Sequence, residues 1–256
     1  SRHRGASRRV AAAPGAVPAH GRSVSGREVT TATGVLVALD TSGPFGSVAV
    51  AREGTTSALV TLSERQQHAA RLIPAIDEAL HMAAVSRADV TGIVVGEGPG
   101  SFTGVRVAAA TAKGLAHSLR VPLWAVSSLL AGALAGHDAA VRYVLFDARG
   151  ERVYGACYGV GTAGVQEIVP PHGGSLRDVL VEDMPAGVVF LGDGAEKHRA
   201  AIEGAGFPVV PATRDTLAEG LLRYTSLHPE LAAVEDPSAW EPLYVRASSA
   251  ERLWNA

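Results

Sequence analysis

Only one cysteine and two lysines stand among the 256 residues. The lone thiol, Cys157, excludes an internal disulfide and any zinc site built from several cysteines. It falls in VYGACYGV, an alternating strand pattern in which a small buried residue is favoured over a nucleophile. No run approaches the roughly 18 apolar residues needed to cross a bilayer, so a globular cytoplasmic protein without membrane contact is expected. The nine histidines include neither HxxxH nor HExxH, so no two imidazoles share a helical face at metal-binding spacing. Zinc or iron catalysis is therefore not expected. Also missing are the lysine of a GxxxxGK[ST] phosphate loop and the GxSxG elbow of serine hydrolases.

The basic residues are unevenly placed. Residues 1–33 hold six arginines (Arg2, Arg4, Arg8, Arg9, Arg22, Arg27) against one acid, Glu28, amid Ala, Gly, Pro and Ser, a composition that predicts a disordered basic tail. Such a stretch fits a transit peptide without its amphipathic face, or an overlong or appended start; a secretory signal lacks its apolar stretch. Beyond it, 17 Lys and Arg face 24 Asp and Glu, a net charge of −7. Nucleic-acid binding runs on phosphate neutralisation, so this acidic remainder is not expected to hold a polyanion by itself. With 47% hydrophobic residues it has material for one large domain or two modest lobes.

The most informative stretch is Val94 to Leu115, VVGEGPGSFTGVRVAAATAKGL: an apolar strand, a glycine-rich turn, then a helix of small residues. Gly98, Gly100 and Gly104 permit positive φ and close backbone approach. Ser101 or Thr103 can cap the helix, whose first amides carry partial positive charge. A phosphate site and an ordinary strand-to-helix turn fit equally well. Arg106 is placed to reach an anion there or to pair with an acid such as Glu97.

Val35–Asp40 reads as a buried strand, TSGPFG as a turn, SVAVAR as its return and TSALVTL as a third strand. Residues 65–84 carry Leu72, Ile73, Ile76, Leu80 and Ala83 on one helical face, with Pro74 kinking that helix or lying near its start. The helix from Thr103 to about Leu119 has little bulk on any face, so burial in its own domain and packing against another chain both fit. After Val121 the order repeats in outline, with a small-residue helix to Leu134, strand VRYVLFDA, turn ARGE and return RVYGACYGV. Both hairpins end their first strand on an aspartate, Asp40 and Asp147, which implies internal duplication. Strand GVVFLGD, helix AEKHRAAIEGA and a helix near Thr216 to Leu227 complete the chain. The pattern resembles the actin-like superfold: an α/β, two-lobed, RNase H-like architecture of mixed sheets flanked by helices. Its lobes are expected at 34–137 and 138–256, with the last helix free to pack on either.

GEGPGSFTGVRVAAATAKGLA resembles the motif of the TsaB family, the bacterial partner subunit in making N6-threonylcarbamoyladenosine in tRNA. Further matching segments are ALDTSGPFGSVAV (38–50), QQHAARLIPAIDEAL (66–80), FDARGERVYGACY (146–158), FLGDGAEKH (190–198) and PLYVRASSAE (242–251), so the resemblance spans about Gly34 to Glu251. It implies a non-catalytic paralogue of the TsaD-like catalytic subunit, whose paired-histidine metal site this sequence lacks. The implied role is heterodimerisation with that subunit, alongside a TsaE-like ATPase, in modifying the adenosine next to the anticodon of ANN-decoding tRNAs, with tRNA met only through the complex. A homodimer is implied when the chain is alone. Helices 66–83 and 103–119 would form the shared surface, through His68, Leu72, Ile76 and Leu80 on one and Val107, Ala108, Thr111, Ala112 and Leu115 on the other. The resemblance also implies a phosphate near Asp40, Thr41, Ser42, Gly100, Ser101, Thr103, Gly104 and Arg106, with ATP or ADP at a lobe or subunit interface and no cofactor certain. From the residues alone, Asp40-Thr41-Ser42 is an Asx or capping turn, and Asp193 is a loop cap or a ribose-facing group. No catalytic or metal-binding residue is assigned. The alternative function is an independent actin-fold, ATP-dependent small-molecule kinase; the glycoprotease label attached to this superfamily finds no supporting residues.

Overall fold

A computed structural model describes residues 32–62, 68–162, 164–181, 183–211 and 216–243. Its first sheet grows from the three apolar runs near the front. Strands β1 (Val35–Asp40), β2 (Gly46–Arg52) and β3 (Thr55–Leu62) form an antiparallel meander, and β4 (Gly92–Gly96) and β5 (Leu123–Val126) add in parallel beyond β1, giving the order β3-β2-β1-β4-β5. Burial on both faces explains why β1, β2 and β4 read as nearly unbroken Val, Leu and Ala. In the second sheet, β6 (Val141–Asp147), β7 (Arg152–Gly161) and β8 (Gly164–Ser175) repeat the meander and β9 (Val188–Leu191) lies parallel to β6. A parallel bridge from Phe190 to Val209 stands where β5 stands in the first sheet. Register places Asp40 and Asp147 at equivalent ends of β1 and β6. The chain is thus a duplicated, two-lobed α/β protein of the actin-like class, as its sequence suggested.

Helices α1 (His68–Met82), α2 (Phe102–Leu119) and α3 (Ser128–Leu134) are followed by α4 (Leu176–Leu180), α5 (Asp193–Lys197), α6 (Arg199–Gly204) and α7 (Leu217–Leu227). Leu72, Ile76 and Leu80 of α1 and Ala108, Ala112 and Ala116 of α2 cover one face of the first sheet. Its other face packs on Ala131 of α3 and on Ala218, Leu221 and Leu222 of α7. Leu129 and Ala133 of α3 turn to the second sheet, meeting Val144 and Phe146, so α3 and α7 form the layer between the lobes. Leu176, Val179, Ala195 and Ile202 cover the outer face of the second sheet. A Cβ on Gly220 would lie 2.0 Å from the Ala131 carbonyl oxygen, so α3 and α7 touch backbone to backbone where only glycine fits.

Residues 228–243 run back over the first sheet. Trp124 Nε1 donates to the Leu231 carbonyl (2.9 Å), Val234 N donates to Leu123 O on edge strand β5 (2.8 Å), and Leu243 N donates to Glu97 O (2.9 Å). Lys113, about three turns into α2, donates to Ser238 O at 3.3 Å beside the Trp240 ring. Pro74 lies inside α1 and not near its start. The 12-residue β8 and the short α4 have no counterpart in the sequence pattern, and the single helix expected over 195–205 is broken at His198 into α5 and α6. The expected basic tail up to residue 31 and the matching segment beyond Leu243 lie outside the described residues.

Candidate functional site

Parallel pairing of β1 with β4 brings the turns after them together. Asp40 is wholly buried; its Oδ1 accepts from Ser42 N and Ser42 Oγ, both at 2.7 Å, and its Oδ2 accepts from Ser128 Oγ at 2.6 Å. The Ser128 oxygen in turn accepts from Gly98 N at 3.0 Å. Burial still raises the Asp40 carboxyl above its ordinary range, although all three donors favour the charged form. Thr41 Oγ1 donates to Gly104 O at 2.6 Å and Ser101 N donates to Ser42 O at 2.8 Å. A Cβ on Gly96 would sit 1.8 Å from Asp40 Oδ2, one on Gly104 1.9 Å from Thr41 O, and one on Gly100 2.5 Å from Ser42 O. Of the three turn glycines singled out in the sequence, only Gly98 needs a positive φ (91°); Gly100 and Gly104 serve close approach.

Ser101 is the helix cap, its Oγ accepting from Gly104 N at 3.4 Å. Thr103 and Arg106 lie on the exposed side of α2, where the Arg106 guanidinium stands 4.2 Å over the Phe102 ring. Six of the eight residues expected around a phosphate are therefore gathered at one point, bonded chiefly to one another.

The second lobe repeats the device with different chemistry. Asp147 Oδ1 accepts from Lys197 Nζ and from Arg149 N, each at 2.8 Å, and Lys197 also donates to Gly150 O at 2.7 Å. Burial pushes the Asp147 carboxyl up, but the Lys197 ammonium and the Arg149 amide outweigh it and hold the carboxyl below the usual range. Asp193 Oδ1 accepts from Asp147 N at 3.4 Å, tying the start of α5 to the end of β6. A Cβ on Gly192 would meet Leu145 O at 2.3 Å. Lys197 was not singled out in the sequence, although its place in the repeat, four residues after Asp193, was the signal available.

Between the lobes lies a cavity of about 490 Å³, bounded by the β1–β2 turn, β6, the end of β9 and the start of α7. The resemblance implied ATP or ADP at a lobe or subunit interface, but the phosphate residues it named include none that line this cavity. The expected contact residues Leu72, Ile76, Leu80, Ala108 and Ala112 are buried in the chain's own core, which corrects their assignment to a partner surface: their apolar bulk is spent on the first sheet. Val107, Thr111 and Leu115 are half-buried, and the His68 side chain lies outside the description. Burial pushes the Cys157 thiol up to about 11, the state of an inert core residue. Among the described residues no cluster of three His, Cys, Asp or Glu side chains could hold a metal, and no helix is long and apolar enough to cross a membrane.

Fold and site define the class, a two-lobed actin-like protein whose strand-end aspartates are both tied into its own structure. A family model described as tRNA N6-adenosine threonylcarbamoyltransferase, TsaD, matches residues 59–224. The tRNA threonylcarbamoyladenosine biosynthesis protein TsaB of Bacillus subtilis is 32% identical over 86% of this chain and 97% of its own length. An uncharacterized Mycobacterium tuberculosis protein is 33% identical over 85% of this chain and 94% of its own. Among solved structures, a Pseudomonas aeruginosa protein described as similar to peptidase YeaZ superposes with a TM-score of 0.71 at 29% identity, covering 84% of this chain and 100% of that one. The chain belongs to the TsaB family.

Proposed function

We propose that this chain is a non-catalytic subunit of the bacterial machinery that adds the threonylcarbamoyl group to adenosine beside the anticodon, and that it works by pairing with a TsaD-like catalytic subunit. Family membership supports a role in tRNA threonylcarbamoyladenosine biosynthesis. The finer reading is supported by exposed apolar groups on α1 and α2. Ile73 is 48% and Met82 56% exposed on α1, and Phe102, beneath the Arg106 guanidinium, is 42% exposed on α2. On α2, Ala110 and Gly114 are exposed too, and a Cβ on Gly114 would meet nothing within 4 Å. A helix so bare lets another backbone approach closely. One surface would serve both self-pairing and heterodimerisation, so the two compete. A TsaE-like ATPase completes the assembly, and the acidic charge beyond residue 33 favours tRNA reaching this chain only through the complex.

Ala110→Arg and Gly114→Arg test the surface, since both positions are exposed and neither change crowds the core. Each variant should fold with a melting temperature near that of the parent and bind the TsaD-like subunit at least about tenfold more weakly. Unchanged affinity in both refutes the surface. The rival kinase reading predicts ATP turnover by the lone chain, and the self-bonded turns at Asp40 and Asp147 count against it.

A further inference from the structure

The cavity between the lobes has a chemistry that the partner surface does not use. We propose that it binds a small, uncharged, planar ring compound bearing a hydrogen-bond acceptor, and that it discriminates against phosphorylated ligands. Its volume of about 490 Å³ lies in the range that encloses such molecules. Phe45 at the β1–β2 turn and Phe146, Leu191 and Leu217 around it make the lining largely apolar, and Phe45 is 58% exposed. An aromatic ring left in water beside an apolar cavity gains contact area when a flat ligand enters.

Charge sets the class. No lysine or arginine is found among the described lining residues, and Asp193 is there. The turns that would have to receive phosphates are closed: Ser42 N and Oγ are bonded to Asp40, and the Lys197 ammonium is bonded to Asp147. Among the described lining residues, several negative charges would enter with no cation to meet them. The lining does offer a neutral donor. His137 Nδ1 accepts from Ala139 N at 2.9 Å, so the uncharged ring carries its proton on Nε2, the nitrogen left for a ligand acceptor.

The test uses the isolated full chain and three probes followed by NMR shifts: quinoline, which has a ring-nitrogen acceptor, indole, which has only a donor, and ATP with magnesium. Expected are saturable shifts at Phe45, Phe146 and Leu191 with quinoline, weaker ones with indole and none with ATP. Val210→Phe places bulk at the half-buried wall and should weaken quinoline about tenfold or more. His137→Leu should remove the preference for quinoline over indole while leaving the fold's spectrum in place. ATP binding in the cleft as tightly as quinoline, quinoline shifts away from the cleft, or a folded Val210→Phe variant with unaltered affinity would each overturn the assignment. Because no partner is present, failure here leaves the α1 and α2 surface untouched.

Discussion

Removing the Ser128 hydroxyl asks whether the junction of the two first-lobe turns is a structural joint or a ligand site. Ser128→Ala deletes the donor to Asp40 Oδ2 at 2.6 Å and the acceptor for Gly98 N at 3.0 Å. Both abandoned groups are buried. A lost bond to a carboxylate is worth about 1.5–3 kcal/mol and an orphaned buried amide about 1–3 kcal/mol, so a joint should weaken by about 3–5 kcal/mol. At roughly 2–4 °C per kcal/mol for a chain of this size, the melting temperature should fall by about 10 °C. A phosphate site predicts a different pattern, with a small change in stability and a protective effect of ATP on the parent. Thermal unfolding followed by circular dichroism, with and without ATP and magnesium, separates the two. A loss below about 1 kcal/mol, or a parent strongly stabilised by ATP, would refute the reasoning.

Two glycines of α2 should respond in opposite directions: Gly104→Ala, facing Thr41 O at 1.9 Å, should cost more than about 2 kcal/mol in urea unfolding, whereas Gly114→Ala, facing open space, should gain about 0.5–1 kcal/mol. Burial raises the Glu97 carboxyl above its ordinary 4.5, so the folded state holds that proton more tightly and stability falls as pH rises from 4.5 through the folded value; Glu97→Gln should shrink the drop in melting temperature across that window. Asp147 behaves in the reverse sense, stabilising above 3.8 and losing that contribution as pH falls through its lower folded value. Lys197→Met should raise the Asp147 titration seen by NMR, and parent and variant stabilities should converge in acid.

The duplicated hairpins were legible because each is an apolar strand ending in aspartate at a polar turn, and the glycine turn was legible because a strand and a capped helix bracket it. What those turn residues do was not. Glycine that makes room for a ligand and glycine that makes room for Thr41 O look alike until the neighbouring turn is in place. The same ambiguity misplaced Ala108 and Ala112: at Gly104 α2 lies against Thr41 O in the turn after β1, small side chains follow along its buried face, and smallness alone does not say which chain is near. β8 escaped notice because GVQEIVPPHGGS has two prolines, three glycines and no clean alternation; it is an edge strand whose pairing with β7 is broken by register shifts near Cys157. Residues 228–243 show no periodicity, and only the edge of β5 and the Trp124 indole explain their return to the first sheet.

Omission decides the functional claim most directly. The chain, a TsaD-like subunit and a TsaE-like ATPase would be mixed with unmodified tRNA, threonylcarbamoyl donor and ATP, and threonylcarbamoyladenosine measured with each protein left out in turn. Product should form with all three, fail without this chain, fail with this chain alone, and drop sharply with Gly114→Arg in its place. Modified tRNA made by this chain alone, or undiminished modification in its absence, would contradict it.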